Sequence, residues 1–297
     1  MELREPRDTL PPKGSCGPAG SRARLAGGIL TDVLTDLSND ALIDGIDRNC
    51  IDFFQHYGLG PGCELHEEPD LAWFVTGIPD PLFNGVMATN VPPERVDPRI
   101  DEMVAEFRRR RLPLEWTTGA RTRPADLGRR LTAKGFERTL EVPGMAIDLR
   151  ELPQDERPMG LAVSRATRRD DLETCVRIAA QTFEISEAFV PRLVEIEEGM
   201  PQDQKALTRH FLARLDDRPV ATSELFLAAG VAGLYFVGTL SEARGRGFGR
   251  AIVLAALKAA REMGYRVGAL QATRMGAPVY RRLGFRALYN MGIYLFP

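Results

Sequence analysis

The segment from Tyr235 to Ala251 holds the residues best suited to chemistry. An aromatic and β-branched run, Tyr235-Phe236-Val237, gives way a few positions later to Arg244-Gly245-Arg246-Gly247-Phe248-Gly249-Arg250. The pattern predicts a strand, then a glycine-rich turn that opens a helix. A helix start carries unpaired N–H groups and about half a positive charge, so phosphate oxygens bind there. Gly245, Gly247 and Gly249 let backbone approach those oxygens because no Cβ intervenes. Arg244, Arg246 and Arg250 add positive charge. The segment therefore predicts a site for a phosphate-bearing ligand. A Walker loop would end in Gly-Lys-Ser/Thr, whereas Gly249 is followed by Arg250-Ala251. A dinucleotide fingerprint follows an early strand, with G-x-G-x-x-G spacing; here the glycines alternate, late in the chain. A purely structural glycine turn is the remaining alternative.

The surrounding elements are legible from apolar spacing and turn residues. Residues 31–56 predict one broken helix or two short ones, stopped by Gly58 and Gly60-Pro61-Gly62. Strands follow at 63–67, 71–76 and 82–89, then a helix at 99–111, a strand at 112–117, a helix at 124–134 and a strand at 140–149. After the polar, proline-bearing stretch 151–160 the second half predicts a strand at 161–165 and helices at 170–183 and 188–200. A hairpin of 210–215 with 220–227, a strand at 231–239, a long helix at 243–263, a strand at 267–272, a helix at 277–283 and a strand at 286–296 complete it. The halves echo each other: Asn84–Val91 stands where Ala232–Thr239 stands, and Gly135-Phe136 where Gly284-Phe285 stands. Strands alternating with helices give a mixed sheet flanked by helices. The echo reads as a duplicated unit, with coincidence of common elements as the alternative.

With 297 residues, 44% of them hydrophobic, the chain is long enough for two cores, and a wholly disordered chain is excluded. A formal net charge of −2 gives no support to a nucleic-acid or membrane-surface binder. No apolar run reaches the ~20 residues of a membrane helix. Cys16, Cys50, Cys63 and Cys175 are scattered, and His56, His66 and His210 are the only histidines. That argues against a disulfide scaffold, a zinc ribbon and a His-rich metal site; the histidines read as ordinary surface or core residues. A reducing, cytoplasmic location fits best. Residues 1–28 lack the apolar stretch of a signal peptide and read as a disordered leader.

On these residues the second half resembles the GNAT superfamily of acyl-CoA-dependent N-acetyltransferases. The family's pyrophosphate signature [Q/R]-x-x-G-x-[G/A] is met at Arg244–Gly249, and its aromatic-x-x-Leu-Gly-Phe element at Tyr280-Arg281-Arg282-Leu283-Gly284-Phe285. Ser241 stands where many members have proline. The resemblance covers roughly 160–297. It implies two tandem GNAT-like α/β domains: 29–150 without the acyl-CoA signature, 151–160 as linker, and 161–297 as the catalytic copy. Acetyl-CoA would be the co-substrate, with no metal. Val237, Gly238 and Thr239 would hold the pantetheine arm, with Gly238 at the bulge where the strands part. The backbone from Gly245 through Arg246, Gly247, Phe248 and Gly249 to Arg250, beside Arg244, would hold the pyrophosphate. Tyr280 would protonate the departing thiolate, and an amine would attack directly. Glu224, on a strand expected to line the acceptor side, is the candidate base; a structural glutamate is the other reading. The acceptor would be a small-molecule or peptide amine. The alternative function is a non-catalytic acyl-CoA-binding or regulatory module.

The first half departs from this pattern. Its corresponding stretch, Val91 to Arg99, has Pro92, Pro93, Pro98 and Asp97 and no glycine. Prolines remove N–H donors and an aspartate repels phosphate, so this copy is expected not to bind acyl-CoA and to serve structurally or as a wall of the acceptor pocket. Glu184, Glu187, Glu195, Glu197 and Glu198 suggest a cationic acceptor, with a solvated acidic helix as the alternative. Trp73 and Trp116 are expected in the core, and Arg108–Arg111 at a solvated helix end.

Overall fold

The computed structural model describes residues 22–24, 30–154 and 157–297. In chain order the strands are β1 (Arg22–Arg24), β2 (Leu30–Asp32), β3 (Glu64–Glu67), β4 (Leu71–Val75), β5 (Asn84–Thr89), β6 (Leu114–Thr118), β7 (Glu137–Asp148), β8 (Leu161–Arg165), β9 (Thr208–Leu215), β10 (Arg218–Ala228), β11 (Val231–Thr239), β12 (Val267–Gln271) and β13 (Arg286–Phe296). The helices are α1 (Asn39–Tyr57), α2 (Val96–Arg110), α3 (Leu127–Ala133), α4 (Arg169–Phe183), α5 (Val190–Gly199), α6 (Gln202–Lys205), α7 (Phe248–Glu262) and α8 (Ala277–Leu283). Of the expected leader only Arg22–Arg24 is described, as a strand paired with Leu30–Asp32; Cys16 and the rest lie outside the described residues.

Eleven strands form one mixed sheet in the order β3-β4-β5-β6-β13-β7-β12-β11-β10-β9-β8. The halves exchange their last strands. β7, which ends the first half, pairs with β12 of the second. β13, which ends the chain, pairs with β6 of the first, and β7 and β13 pair with each other. The two sheets are thereby fused, and the junction at 151–160 does not coincide with a break in the sheet.

Strand alternation decides what each face carries. On β10, Leu225 and Leu227 join the core beneath α7, while Phe226 faces the cluster shared with α1 and α5. On the first half's strands, Trp73, Val75 and Trp116 pack under α2 and α3, and Phe74 and Met87 face α1. So α2, α3, α7 and α8 cover one face, and α1, α4 and α5 the other. Both tryptophans are buried, as expected.

Residues 39–57 form one helix where a break was expected. Its start is capped by Ser38, whose hydroxyl accepts from the Ala41 N–H, and Gly58 ends it. Contacts with strands of both halves carry it through Gly45. Asn49, fully buried, donates to the carbonyl of Ala228 at 2.9 Å and accepts from the Tyr235 hydroxyl at 2.8 Å. Phe53 stacks on Tyr235 with ring centres 3.6 Å apart. Thus a helix of the first half is seated on the strands of the second.

Candidate active site

The phosphate-type turn is built from backbone conformations that glycine allows. Gly245 and Gly247 have φ of +76° and +83°, where a side chain would strain the chain. Gly247 is the N-cap of α7, and no side chain caps that end, which leaves the first-turn N–H groups for a ligand. The long helix expected from residue 243 instead begins at Phe248, after a short 3-10 turn at Ser241–Ala243. Arg244 donates to the Thr239 carbonyl at 3.1 Å, Arg250 to the Gln154 carbonyl at 3.1 Å, and the Arg246 guanidinium lies 4.8 Å from the Phe248 ring centre.

Beside this turn the sheet opens. β11 and β12 run parallel and pair at Ala232/Gly268 and Gly233/Ala269, and the pairing stops there, leaving Val237, Gly238 and Thr239 free of β12. On its other edge β11 carries a bulge. Thr222 pairs with Gly238 and Glu224 with Tyr235, so Phe236 and Val237 together oppose Ser223. The bulge had been expected at Gly238; it is Phe236 that takes the left-handed conformation, with φ +44°. A bulky residue there is uncommon and marks a constrained position. The extra residue turns both Tyr235 and Phe236 toward the α1–α5 face. Gly238 serves another purpose: a Cβ on it would lie 2.6 Å from Thr182 Oγ1 on α4.

Glu224 is buried in the bulge region, opposite His210 on β9. Alternation puts Thr222, Glu224 and Phe226 on the face toward α5, from which Glu197 enters. Glu197 Oε2 lies 3.5 Å from His210 Nε2, and donor atoms of Glu197, His210 and Glu224 all fall within 4.8 Å of one another. The three end a narrow cavity of about 30 Å³ walled by Tyr57, Phe83 and Phe236. Oε1 of Glu224 is buried with no hydrogen-bond partner.

The charges follow from burial and neighbours. Burial, then the Glu197 carboxylate, pushes the Glu224 carboxyl up to about 8, against the pull of His210. Burial works against ionisation of Glu197 too, yet the His210 imidazole beside it holds its carboxyl below the usual range. Burial also disfavours the imidazolium of His210, but Glu224 and Glu197 raise it above its ordinary value. These shifts favour an ion pair between Glu197 and His210, beside a Glu224 carboxyl that holds its proton more tightly than an exposed one. An imidazole and two carboxylates at this spacing are also a donor set that a divalent cation can use. Tyr280 lies on α8, buried in the α7-side core with its ring 5.7 Å from that of Phe285; burial pushes its phenol up to about 12, so it stays protonated.

Two site residues were missed in the sequence. His210 was read as an ordinary residue, and Glu197 was one of five acids on a helical stretch. Strand pairing puts His210 across from Glu224, and helix packing buries Glu197 while its neighbours stay outside. Three of those neighbours are paired: Glu187 with Arg177, Glu195 with Arg192 and Glu198 with Arg169.

The first half repeats the opened sheet without the turn. β5 and β6 pair at Gly85/Glu115 and Val86/Trp116 and part beyond. The cleft, of about 520 Å³, is lined by Asp40, Asp44, Asp47, Glu68 and Asp70 together with Arg121 and Arg123; Asp44 pairs with Arg121, and Glu68 and Asp70 with Arg99. Its far end is pinned by the Asn90–Arg123 bridge.

Residues 173–285 match the acetyltransferase (GNAT) family. A search of the curated proteins finds no match. Among solved structures, a GCN5-related N-acetyltransferase from Kribbella flavida is 20% identical, with a TM-score of 0.66, over 85% of this chain and 95% of that one. A GCN5-related N-acetyltransferase from Sphaerobacter thermophilus is 18% identical, with a TM-score of 0.58, over 79% and 75%. A tandem GNAT protein from the clavulanic acid biosynthesis pathway is 15% identical, with a TM-score of 0.55, over 86% and 96%. These structural likenesses are of fold, and they span both halves. An α/β chain with an opened sheet beside a glycine-capped helix has the architecture of an acyltransferase. Residues 173–285 thus match the GNAT family, within a chain whose fold is like that of a tandem GNAT protein. No helix among the described residues is long and apolar enough to cross a membrane.

Proposed function

We propose that the chain transfers an acetyl group from acetyl-CoA to a primary amine. The observation that carries this reading is the opening between β11 and β12 beside the uncapped N-terminus of α7, with the buried carboxyl of Glu224 across β11. Val237–Thr239 would receive the pantetheine arm, and the N–H groups from Gly245 to Arg250, with Arg244, the pyrophosphate. Glu224, ionised, takes one proton from the incoming ammonium. The neutral nitrogen attacks the thioester carbonyl, the C–S bond breaks, and the thiolate takes the Tyr280 proton. The second proton lost by nitrogen returns to the phenol through solvent. Holding the two substrates together supplies much of the rate, and no covalent enzyme intermediate is needed.

The prolines of 91–98 support a copy that does not take acyl-CoA, because prolines lack the N–H donors that a pyrophosphate needs. The chain would thus have one acyl-CoA site.

Release of coenzyme A thiol from acetyl-CoA, measured over a panel of amines, tests the reading. Wild-type protein should release thiol with at least one amine, and Tyr280→Phe should lower kcat about 100-fold with coenzyme A affinity by calorimetry unchanged. Coenzyme A binding without thiol release for any amine would instead favour the non-catalytic binding module.

A further inference from the structure

The cavity that ends at Glu224 is built by both halves of the chain. Tyr57 closes α1 and Phe83 precedes β5, both in the first half; Phe236 comes from the bulge of β11. Their rings form a mutual cluster: the centroid of Tyr57 lies 5.5 Å from Phe83 and 6.5 Å from Phe236, and Phe83 and Phe236 are 6.4 Å apart. At the closed end stand the Glu197–His210 pair and the unpartnered, buried Oε1 of Glu224. One end of the cavity is thus polar and able to receive a single ammonium, and the walls leading to it are aromatic.

We propose that the acceptor is a primary amine whose skeleton is apolar, and that the first half selects it through Tyr57 and Phe83. This rests on the acetyltransferase reading for the chemistry, and on the cavity alone for the selection. An ammonium at Glu224 gains a charge-assisted hydrogen bond and lies beside ring faces that favour cations. A second ammonium further along the acceptor would face desolvation against the rings. Of the exposed acids nearby, Glu187, Glu195 and Glu198 already pair with arginines.

The test uses the full chain with coenzyme A bound and reads amine affinity by calorimetry, with thiol release from acetyl-CoA as a separate arm. Phenethylamine should bind at least tenfold more tightly than spermidine. Phe83→Ala should weaken phenethylamine at least tenfold with coenzyme A affinity unchanged, and Phe83→Leu, which keeps most of the volume, should recover part of the loss. Equal or tighter binding of spermidine, absence of binding by both amines, or indifference to Phe83→Ala in a folded protein would overturn the proposal. Selective binding of phenethylamine without thiol release would uphold the selection and count against acetyl transfer.

Discussion

The Tyr235 hydroxyl donates to Oδ1 of Asn49 across 2.8 Å, joining the strand that opens the active cleft to a helix of the other half. Asn49 is fully buried, and its amide also donates to the Ala228 carbonyl. Removing it strands a buried hydroxyl and a buried carbonyl, each costing about 1–3 kcal/mol. Asn49→Ala should therefore lower stability by about 3 kcal/mol in urea unfolding. Tyr235→Phe, which leaves the Asn49 oxygen as the orphan, should lose about 1–2 kcal/mol. A double mutant whose loss is well short of the sum would show that the two act as one unit.

Gly247 caps α7 in a left-handed conformation. Gly247→Val forces a β-branched side chain into that region, which costs roughly 1–2 kcal/mol, and tilts the N–H groups proposed to hold the pyrophosphate. KM for acetyl-CoA should rise about tenfold or more, with a melting temperature lower by a few degrees. A change in melting temperature alone, with KM for acetyl-CoA preserved, would remove the turn from the coenzyme site.

What was legible in the sequence follows from the range of each signal. The glycine turn, the Tyr280 helix and nearly every strand of the second half are local patterns, and they lie where spacing put them. The duplication was legible from the two Gly-Phe pairs. The exchange of β7 and β13 was not, because pairing partners far apart in the chain leave no mark on either strand's own pattern. His210 and Glu197 were missed for the same reason: each looks ordinary beside its chain neighbours, and only cross-strand pairing with Glu224 and the packing of α5 make them a cluster. The bulge was placed at Gly238 because glycine tolerates such sites. The structure puts the strain on Phe236 and uses Gly238 for the close approach of α4.

Glu197, His210 and Glu224 present a donor set that a divalent ion can also occupy, so the metal question is open to a direct test. The proposed reaction needs no Lewis acid, because the thioester is already activated and the nucleophile is an amine. Prolonged EDTA treatment should leave the rate of thiol release unchanged, and added Zn²⁺ should inhibit competitively against the amine by occupying the carboxylates. A rate lost in EDTA and restored by Zn²⁺ would assign the cluster to a catalytic metal.

The strongest pH dependence should come from Glu224. Burial and Glu197 push its carboxyl up to about 8, so at pH 6 it is protonated and cannot accept the amine's proton. The rate at saturating acetyl-CoA should rise with pH and level off above about 8, and Glu224→Gln should lower kcat about 10²–10⁴-fold and remove this rise. Stability should move the opposite way. The unfolded chain releases the proton near the ordinary value of 4.5, while the native chain holds it to about 8. Over that interval the native state binds more protons, so stability falls as pH rises. Glutamine carries no such proton, so Glu224→Gln should be more stable than wild type at pH 8, by several kcal/mol at most, with the advantage shrinking toward pH 5. Urea midpoints of both proteins at pH 5 and pH 8 measure the difference. An advantage that grew toward pH 5 would mean that Glu224 is held ionised by His210, and that the base is ready at neutral pH.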